Sequence, residues 1–180
     1  MTTVYLAFGA NLGNREANLR MAISAIARMC RVLAVSSLYE TDPAPPGQPA
    51  FYNAAVAVEA GLEPLSLLRF LQSIEEEVGR RPGAGRNGPR PVDIDILLHG
   101  DATLAGERLT IPHPRLAGRP FVLVPLAEIA AEAVHPALGK TIAELARAAG
   151  DEGVRRVKDR GWEAATTSET LPALRRGPAV

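Results

Sequence analysis

Residues 92–98 have the sequence Val92-Asp93-Ile94-Asp95-Ile96-Leu97-Leu98, and the placing of this stretch decides the fold. Its apolar residues alternate with two aspartates, which predicts a strand with one buried face and one polar face. This strand would be the fourth of a series. Apolar alternation or β-branched runs predict three earlier strands, and apolar spacing of three and four predicts two helices. In chain order these are a strand at 4–8, a helix at 15–30, strands at 32–39 and 51–59, and a helix at 64–79.

The order strand, helix, strand, strand, helix, strand predicts a ferredoxin-like βαββαβ core in an α+β sandwich. Its antiparallel sheet would carry both helices on one face. C-terminal additions follow this core: a short strand near 107–111, an apolar stretch at 121–130 interrupted by Pro125, a helix at 141–149 and an edge strand at 154–157. We predict one domain over residues 1–160 and a loosely held tail over 161–180.

Composition excludes several classes of protein. The 180-residue chain is 47% apolar and 22% charged with no net charge, which is typical of a globular domain. Aromatic residues make up only 4%, which argues against a base-stacking nucleic-acid surface. One cysteine, Cys30, excludes an intrachain disulfide. No secretory signal or membrane-spanning run is present, so we expect a cytoplasmic protein that binds neither membranes nor nucleic acid.

A glycine pattern, G-x-G-x-x-G, occurs at Gly83, Gly85 and Gly88, but it does not indicate a dinucleotide site. Such sites need a strand directly before the glycines, and here a helix precedes them. The pattern favours a loop over residues 80–91.

The aspartate pair at Asp93 and Asp95 is the sharpest local signal. Residues two apart in a strand point to one face, so the two carboxylates can converge. Basic residues lie on both sides of the pair in sequence: Arg80, Arg81, Arg86, Arg90, His113, Arg115 and Arg119. Carboxylates bind Mg²⁺ and arginines neutralise phosphate, which favours a metal–polyphosphate site. A solvated strand face with surface arginines is the alternative, and the residues alone leave both open.

Five segments together resemble the hydroxymethyldihydropterin pyrophosphokinase family of folate synthesis. The resemblance covers about residues 3–150. The segments are Phe8-Gly9-Ala10-Asn11-Leu12-Gly13, Tyr39-Glu40-Thr41-Asp42-Pro43, Gln48-Pro49-Ala50-Phe51-Tyr52-Asn53-Ala54-Ala55, Gly88-Pro89-Arg90-Pro91-Val92-Asp93-Ile94-Asp95-Ile96-Leu97 and Ile111-Pro112-His113-Pro114-Arg115-Leu116. The resemblance implies the ferredoxin-like fold and transfer of pyrophosphate from ATP to 6-hydroxymethyl-7,8-dihydropterin, releasing AMP.

The resemblance also implies the site residues. Two Mg²⁺ ions would be held by Asp93 and Asp95, which with Arg80 and Arg90 form the catalytic group. Residues implied to bind ATP are Gln72, Glu75, Arg80, Arg90, Ile96, Thr110, His113 and Arg119. Residues implied to bind the pterin are Thr41, Pro43, Ala44, Phe51, Asn53 and Phe121.

Elementary chemistry agrees with the pterin set, because Phe51 and Phe121 offer faces to a flat ring and Asn53 offers both a donor and an acceptor. Two assignments keep a plainer alternative: Gln72 and Glu75 as a solvated helix pair, and His113 as a structural histidine. The chain departs from some members at Asn87 and Pro114, where they have aromatic residues, which leaves closure of loop 80–91 in question.

Two other functions are kept open. The first is a non-catalytic ferredoxin-like module that binds a nucleotide or another small ligand, which would not need the aspartate pair or the arginine loop. The second is an RNA-binding module of the same fold, but strands 4–8 and 54–58 offer it few aromatic or basic side chains. We expect a monomer that acts on small-molecule substrates.

Overall fold

The computed structural model of the chain describes residues 1–43, 46–80 and 88–164. It contains ten strands and four helices within those ranges. In chain order the elements are β1 (Thr2–Ala10), α1 (Arg15–Ile26), β2 (Arg31–Val35), β3 (Leu38–Thr41), β4 (Phe51–Ala60), α2 (Pro64–Val78), β5 (Asp93–His99), β6 (Leu104–Ala105), β7 (Thr110–Ile111), α3 (Pro120–Ala130), β8 (Val134–His135), β9 (Lys140–Thr141), α4 (Ile142–Ala149) and β10 (Val154–Lys158).

The main sheet has the strand order β10-β3-β4-β1-β5, with β2 also paired to β4. Each pairing in it is antiparallel. Strand β1 is central, with β4 on one side and β5 on the other, as the βαββαβ order requires. The predicted ferredoxin-like sandwich is confirmed, and β5 is an edge strand of the sheet.

The predicted single strand at 32–39 is wrong, because it divides into β2 and β3 at Ser36 and Ser37. The Ser36 hydroxyl accepts a hydrogen bond from the Ala55 N–H at 2.9 Å and donates one to the Ser37 carbonyl at 2.8 Å. A serine side chain that competes for the backbone partners of the sheet interrupts the regular strand pairing.

Helix α1 also ends before the predicted residue 30. Its last turn tightens there, since the Met29 N–H bonds to the Ile26 carbonyl three residues back.

The face of the sheet under α1 and α2 is a continuous apolar core. Leu19, Ile23 and Ile26 of α1 and Leu67, Leu71 and Ile74 of α2 pack on it. From the sheet come the side chains that alternate inward, which are Val4, Leu6, Phe8, Ala54, Val56, Val58, Ile94 and Ile96. Both helices therefore lie on one face, as predicted.

The opposite face is covered by α3 and α4 through a second apolar cluster. Helix α3 runs through Pro125, so the proline that interrupts the apolar stretch in sequence does not end the helix. Pro125 is the sixth residue of α3, so the helix lacks the N–H bond from residue 125 to the Phe121 carbonyl there, while the Pro125 side chain is buried. The predicted strand near 107–111 is shorter than expected. Only Thr110–Ile111 is extended, paired with Leu104–Ala105 in a hairpin.

The C-terminal region continues the sheet. Strand β10 pairs with β3, which confirms the predicted edge strand. Beyond it Trp162 is buried, and its indole N–H donates to the Ser36 carbonyl at 2.8 Å. Residue 162 is therefore packed on the core, whereas the predicted tail began at 161. Residues 165–180 lie outside the described part of the chain. No helix in the described ranges is long and apolar enough to cross a bilayer.

Candidate active site

The two aspartates of β5 lie on the face opposite α1 and α2. Asp93 is paired across the sheet with Gly9 of β1, and Asp95 with Ala7. Gly9 is paired in turn with Asn53 of β4. Directly opposed residues share a face, so Asp93, Gly9 and Asn53 form one row. Ala7 and Gly9, in the C-terminal half of β1, are small and lie between the carboxylates of β5 and the amide of β4.

Two arginines bind Asp93. Arg80 donates from Nη1 to Oδ1 at 2.7 Å, and Arg90 donates from Nη1 to Oδ2 at 3.0 Å. The same Nη1 of Arg80 lies 2.6 Å from Oε2 of Glu75. Two carboxylates and two guanidinium groups thus meet at the start of β5, and their charges balance when Glu75 is ionised.

Glu75 reaches this group from the last turn of α2. Its Oε1 accepts the Ile94 N–H at 2.7 Å, and the residue is only 6% exposed. Burial raises the pKa of Glu75 to about 7, although the Ile94 N–H and Arg80 act against the shift. Gly79, at φ 117°, ends the helix in the left-handed region and turns the chain so that Arg80 returns toward Glu75. The alternative of a solvated helix pair is wrong for Glu75, whereas Gln72 is exposed and remains a predicted ATP-binding residue.

Asp95 has looser cationic neighbours. His113 Nε2 and Arg119 Nη1 lie 3.8 Å and 3.9 Å from its Oδ2, both beyond hydrogen-bond length. Burial, followed by the nearby Asp93 charge, raises the pKa of Asp95. The site therefore holds a carboxylate whose charge is less well compensated than that of Asp93.

His113 is uncharged at physiological pH. Burial, with the charges of Arg119 and Arg115, lowers the pKa of His113 to about 4. Its Nδ1 accepts the Arg115 N–H at 3.1 Å, so the neutral ring carries its proton on Nε2, the atom nearest Asp95. The His113 N–H bonds to the Leu97 carbonyl at 3.0 Å, which fixes this turn against β5.

A second group of side chains lies on the β4 side of Gly9, opposite Asp93. Asn53 Nδ2 donates to Thr41 Oγ1 at 2.6 Å, which leaves its Oδ1 facing Gly9. A methyl group built on Gly9 would lie 3.2 Å from that Oδ1 and 3.7 Å from the Phe51 ring. Phe51 and Asn53 therefore stand over the glycine, with Asp93 on its other side.

Phe121 approaches from α3. It lies one residue inside the helix start, and the Arg119 guanidinium is 5.5 Å from its ring centre. Arg119 thus lies between the aromatic side of the site and Asp95.

Glu128, further along α3, accepts hydrogen bonds from the Ser37 N–H at 2.9 Å, the Ser37 hydroxyl at 2.8 Å and the Tyr39 hydroxyl at 2.9 Å. These bonds hold the C-terminal half of α3 against Ser37 and β3.

The structure brings most of the predicted site residues to one end of the sheet. Those with direct contacts in the groups above are Thr41, Phe51, Asn53, Glu75, Arg80, Arg90, Asp93, Asp95, His113, Arg119 and Phe121. Thr110 lies in β7, and Pro43 is half-buried at the edge of a described range. Ala44 lies outside the described residues, as do Arg81, Arg86 and Asn87 of the arginine loop.

The predicted contact of Ile96 with ATP cannot involve its side chain. That side chain is 3% exposed in the core under α1 and α2. The Ile94 N–H points outward to Glu75, and N–H groups two residues apart on a strand point the same way. Ile96 therefore offers its main-chain N–H and carbonyl, and not its side chain, at the outer edge of β5.

Sequence reasoning missed several residues of this region. Gly9 and Asn11 belong to a quoted segment but were given no role, and Arg115 was counted only as a basic neighbour. The signal for Gly9 was present, because a glycine inside an apolar strand often marks a close approach. Glu128 had no signal, since its partners lie about 90 residues away in the chain.

Comparison with known proteins identifies the family of the chain. The family model described as 7,8-dihydro-6-hydroxymethylpterin-pyrophosphokinase (HPPK) matches residues 5–131. The chain belongs to this family. The HPPK match spans β1 to the end of α3, the part of the chain that holds every site residue described above.

Named HPPK relatives are similar over most of the chain. A 2-amino-4-hydroxy-6-hydroxymethyldihydropteridine pyrophosphokinase of Pseudomonas aeruginosa is 42% identical over 157 residues, covering 86% of this chain and 96% of the relative. The enzyme of the same name from Bacillus subtilis is 45% identical over 128 residues, covering 69% of this chain and 76% of the relative. The predicted family is thereby confirmed.

Some relatives are much longer. The folic acid synthesis protein fol1 of Pneumocystis carinii is 44% identical over 145 residues, which is 78% of this chain but 19% of that protein. The chain thus spans about a fifth of this relative. A crystal structure of Plasmodium falciparum HPPK-DHPS with pteroate superposes with a TM-score of 0.72 at 17% identity, over 86% of this chain and 47% of that one. At this identity the superposition supports the fold alone.

Proposed function

We propose that this chain transfers the pyrophosphoryl group of ATP to the hydroxymethyl oxygen of 6-hydroxymethyl-7,8-dihydropterin and releases AMP, a step in folate biosynthesis. The observation that carries the proposal is the row Asp93, Gly9 and Asn53. In this row an arginine-bound carboxylate lies on one side of Gly9, and the Asn53 amide and the Phe51 ring lie close to Gly9. A phosphate-binding end and a heterocycle-binding end are thus adjacent, in a chain of the HPPK family.

The donor set fits Mg²⁺. Asp93 and Asp95 offer carboxylate oxygens from one face of β5, and no cluster of three or more His, Cys, Asp or Glu side chains is found in the described residues. Mg²⁺ favours one or two carboxylates and takes its other ligands from phosphate and water. The raised pKa of Asp95 reflects a carboxylate that a cation would stabilise. We propose that Asp93 and Asp95 hold two Mg²⁺ ions, which would neutralise triphosphate charge and polarise the transferred group.

The cationic residues have distinct tasks toward ATP. Arg80 and Arg90 are placed to exchange Asp93 for phosphate oxygens, because each already lies within hydrogen-bond distance of that carboxylate. Arg119 and the Nε2–H of His113 approach from the other side of Asp95. A neutral His113 can donate without adding charge. Gln72, Glu75, Thr110 and the main chain of Ile96 would surround the nucleoside.

The pterin would lie over Gly9. Phe51 and Phe121 provide its aromatic neighbours, and Asn53 with Thr41 provides paired donors and acceptors for the amide-like edge of the ring. Pro43 and Ala44 would complete this side. Closed approach of the two substrates would exclude water, which otherwise competes with the hydroxymethyl oxygen.

We further propose that the unit predicted over residues 1–160, together with the packed Trp162, is the catalytic unit and that it acts as a monomer in the cytoplasm. The absence of net charge and the few aromatic residues agree with small-molecule substrates in place of nucleic acid.

A direct assay tests the proposal against a non-catalytic nucleotide-binding module. The purified chain is incubated with Mg²⁺, the pterin and ATP labelled at the β-phosphate, and the products are separated. We expect AMP and a pterin that carries the label, and no product when Mg²⁺ is omitted. Tight binding of an ATP analogue with no transfer of label would favour the binding module. Formation of ADP with unlabelled product would indicate transfer of a single phosphoryl group.

A further inference from the structure

Asn11 lies at the end of β1, in a segment for which the site described above has no task. It is 2% exposed, so its polar side chain has left water entirely for protein partners. Its Oδ1 accepts the Arg90 N–H at 2.8 Å, and its own N–H donates to the Arg90 carbonyl at 3.2 Å. Asn11 therefore holds both main-chain groups of the residue whose side chain binds Asp93.

The amide nitrogen of Asn11 points to a different segment. Its Nδ2 donates to Gln48 Oε1 at 3.3 Å and lies 3.4 Å from the Pro49 carbonyl. Residues 48–50 lead directly into β4, whose first residue is Phe51. One planar amide thus contacts the segment before Phe51 with one end and Arg90 with the other.

Neighbouring side chains hold these two segments separately. Arg15 donates to the Ala50 carbonyl at 2.8 Å, and Asn18 donates to the Pro91 carbonyl at 3.2 Å. Neither of these bonds joins the segments to each other. A shift of Arg90 toward phosphate would rotate or displace the Asn11 amide, and its other end would then move the segment that carries Phe51.

We propose that Asn11 is a positioning residue that couples the triphosphate half of the site to the pterin half, so that each substrate raises the affinity for the other. The inference rests on the substrate sides assigned under the proposed function. A merely structural asparagine would support folding and leave the two binding events independent of each other.

Calorimetric titration measures the coupling. A nonhydrolysable ATP analogue with Mg²⁺ is titrated into the protein with and without saturating pterin, and the ratio of the two dissociation constants is the coupling factor. We expect about fivefold or more in the native protein, the range typical of coupled sites. Asn11→Ala should reduce the factor to about one. Asn18→Ala is the matched control and should keep the native factor, because Asn18 donates to the Leu12 and Pro91 carbonyls and not to residues 48–50.

Two further variants distinguish the contributions of the oxygen and the nitrogen of the Asn11 side-chain amide. Asn11→Asp keeps an acceptor for the Arg90 N–H but sets an acceptor opposite the Pro49 carbonyl, so binding of the ATP analogue alone should persist while coupling is lost. Gln48→Ala removes one partner and should lower the factor partly. These variants also serve if Asn11→Ala does not fold. The exchange rate of the Arg90 amide hydrogen should rise in Asn11→Ala and remain low in Asn11→Asp.

The outcomes are distinct. Native coupling that survives in both Asn11 variants, or a native factor of one with both ligands bound, overturns this inference and leaves the proposed function intact. Failure of the native protein to bind either ligand contradicts the proposed function itself.

Discussion

The two faces of the central sheet differ in how completely helices cover them. Under α1 and α2 the side chains of β1 and β5 alternate into one apolar core, and Leu6, Phe8, Ile94 and Ile96 are almost fully buried. On the other face α3 and α4 cover only part of the sheet, and the same strands present Ala7, Gly9, Asp93 and Asp95. Along each of these strands, residues that pack in the core therefore alternate with residues that face the site.

The difference teaches where a small fold can place a charged site. A carboxylate under α1 and α2 would pay a large desolvation cost with no partner, whereas on the partly covered face it can meet arginines and a bound cation. Removing a side chain should therefore have opposite consequences on the two faces.

The largest expected effect comes from truncating side chains on the two faces of the sheet and comparing the results. Asp93→Ala or Asp95→Ala should lower kcat at least about 100-fold, because each removes a proposed Mg²⁺ ligand, and should change the free energy of unfolding by no more than about 1 kcal/mol. Leu6→Ala, on the other face of β1, should cost about 2–5 kcal/mol in unfolding free energy and leave kcat of the folded protein nearly unchanged. Turnover assays and urea unfolding measure both. Near-native activity in both aspartate variants would remove the metal assignment.

A smaller effect is expected at Glu75, which reaches from the packed side to the charged side. Its pKa of about 7 in the folded protein exceeds the ordinary value of 4.5, so the folded state binds the proton more tightly. Stability should then fall as pH rises from about 4.5 to about 7, by about 1–3 kcal/mol, and Glu75→Gln should lack this component. Unfolding free energies of the ligand-free proteins between pH 5 and pH 8 provide the test.

The difference between the native protein and Glu75→Gln is the quantity to compare. His113, whose pKa is lowered to about 4, contributes the opposite slope in both proteins, so its effect cancels. Parallel stability curves for the two proteins would mean that Glu75 is ionised throughout this pH range.

The smallest effect should come from adding a methyl group at Gly9, on the face of the sheet that carries the site. Gly9→Ala would place a methyl group 3.2 Å from Asn53 Oδ1, tighter than ordinary contact, so the amide must shift. We expect about tenfold weaker pterin binding and binding of the ATP analogue within about twofold of native. Gly118→Ala is the control, because its methyl group would meet nothing within 4 Å. Equal weakening for both ligands would indicate a general distortion of β1.

Some elements of the fold were predictable because their cause is local. Alternation in 92–98 and the three-and-four spacing in α1 and α2 follow from strand and helix geometry, so the βαββαβ order and the shared face of Asp93 and Asp95 could be inferred. The break at Ser36 and Ser37 could not, because it depends on a bond to Ala55 of another strand.

The sequence by itself determined which residues could perform the chemistry and that the two aspartates face one way, since a strand's period of two admits no other arrangement. Only the tertiary structure decided how the groups combine. Burial of Glu75, the two arginines on Asp93, the neutral His113 and the packing of Trp162 each depend on segments that are distant in the chain. Asn11 shows this most clearly, because its partners lie 37 and 79 residues away and local pattern carries no information about such distances.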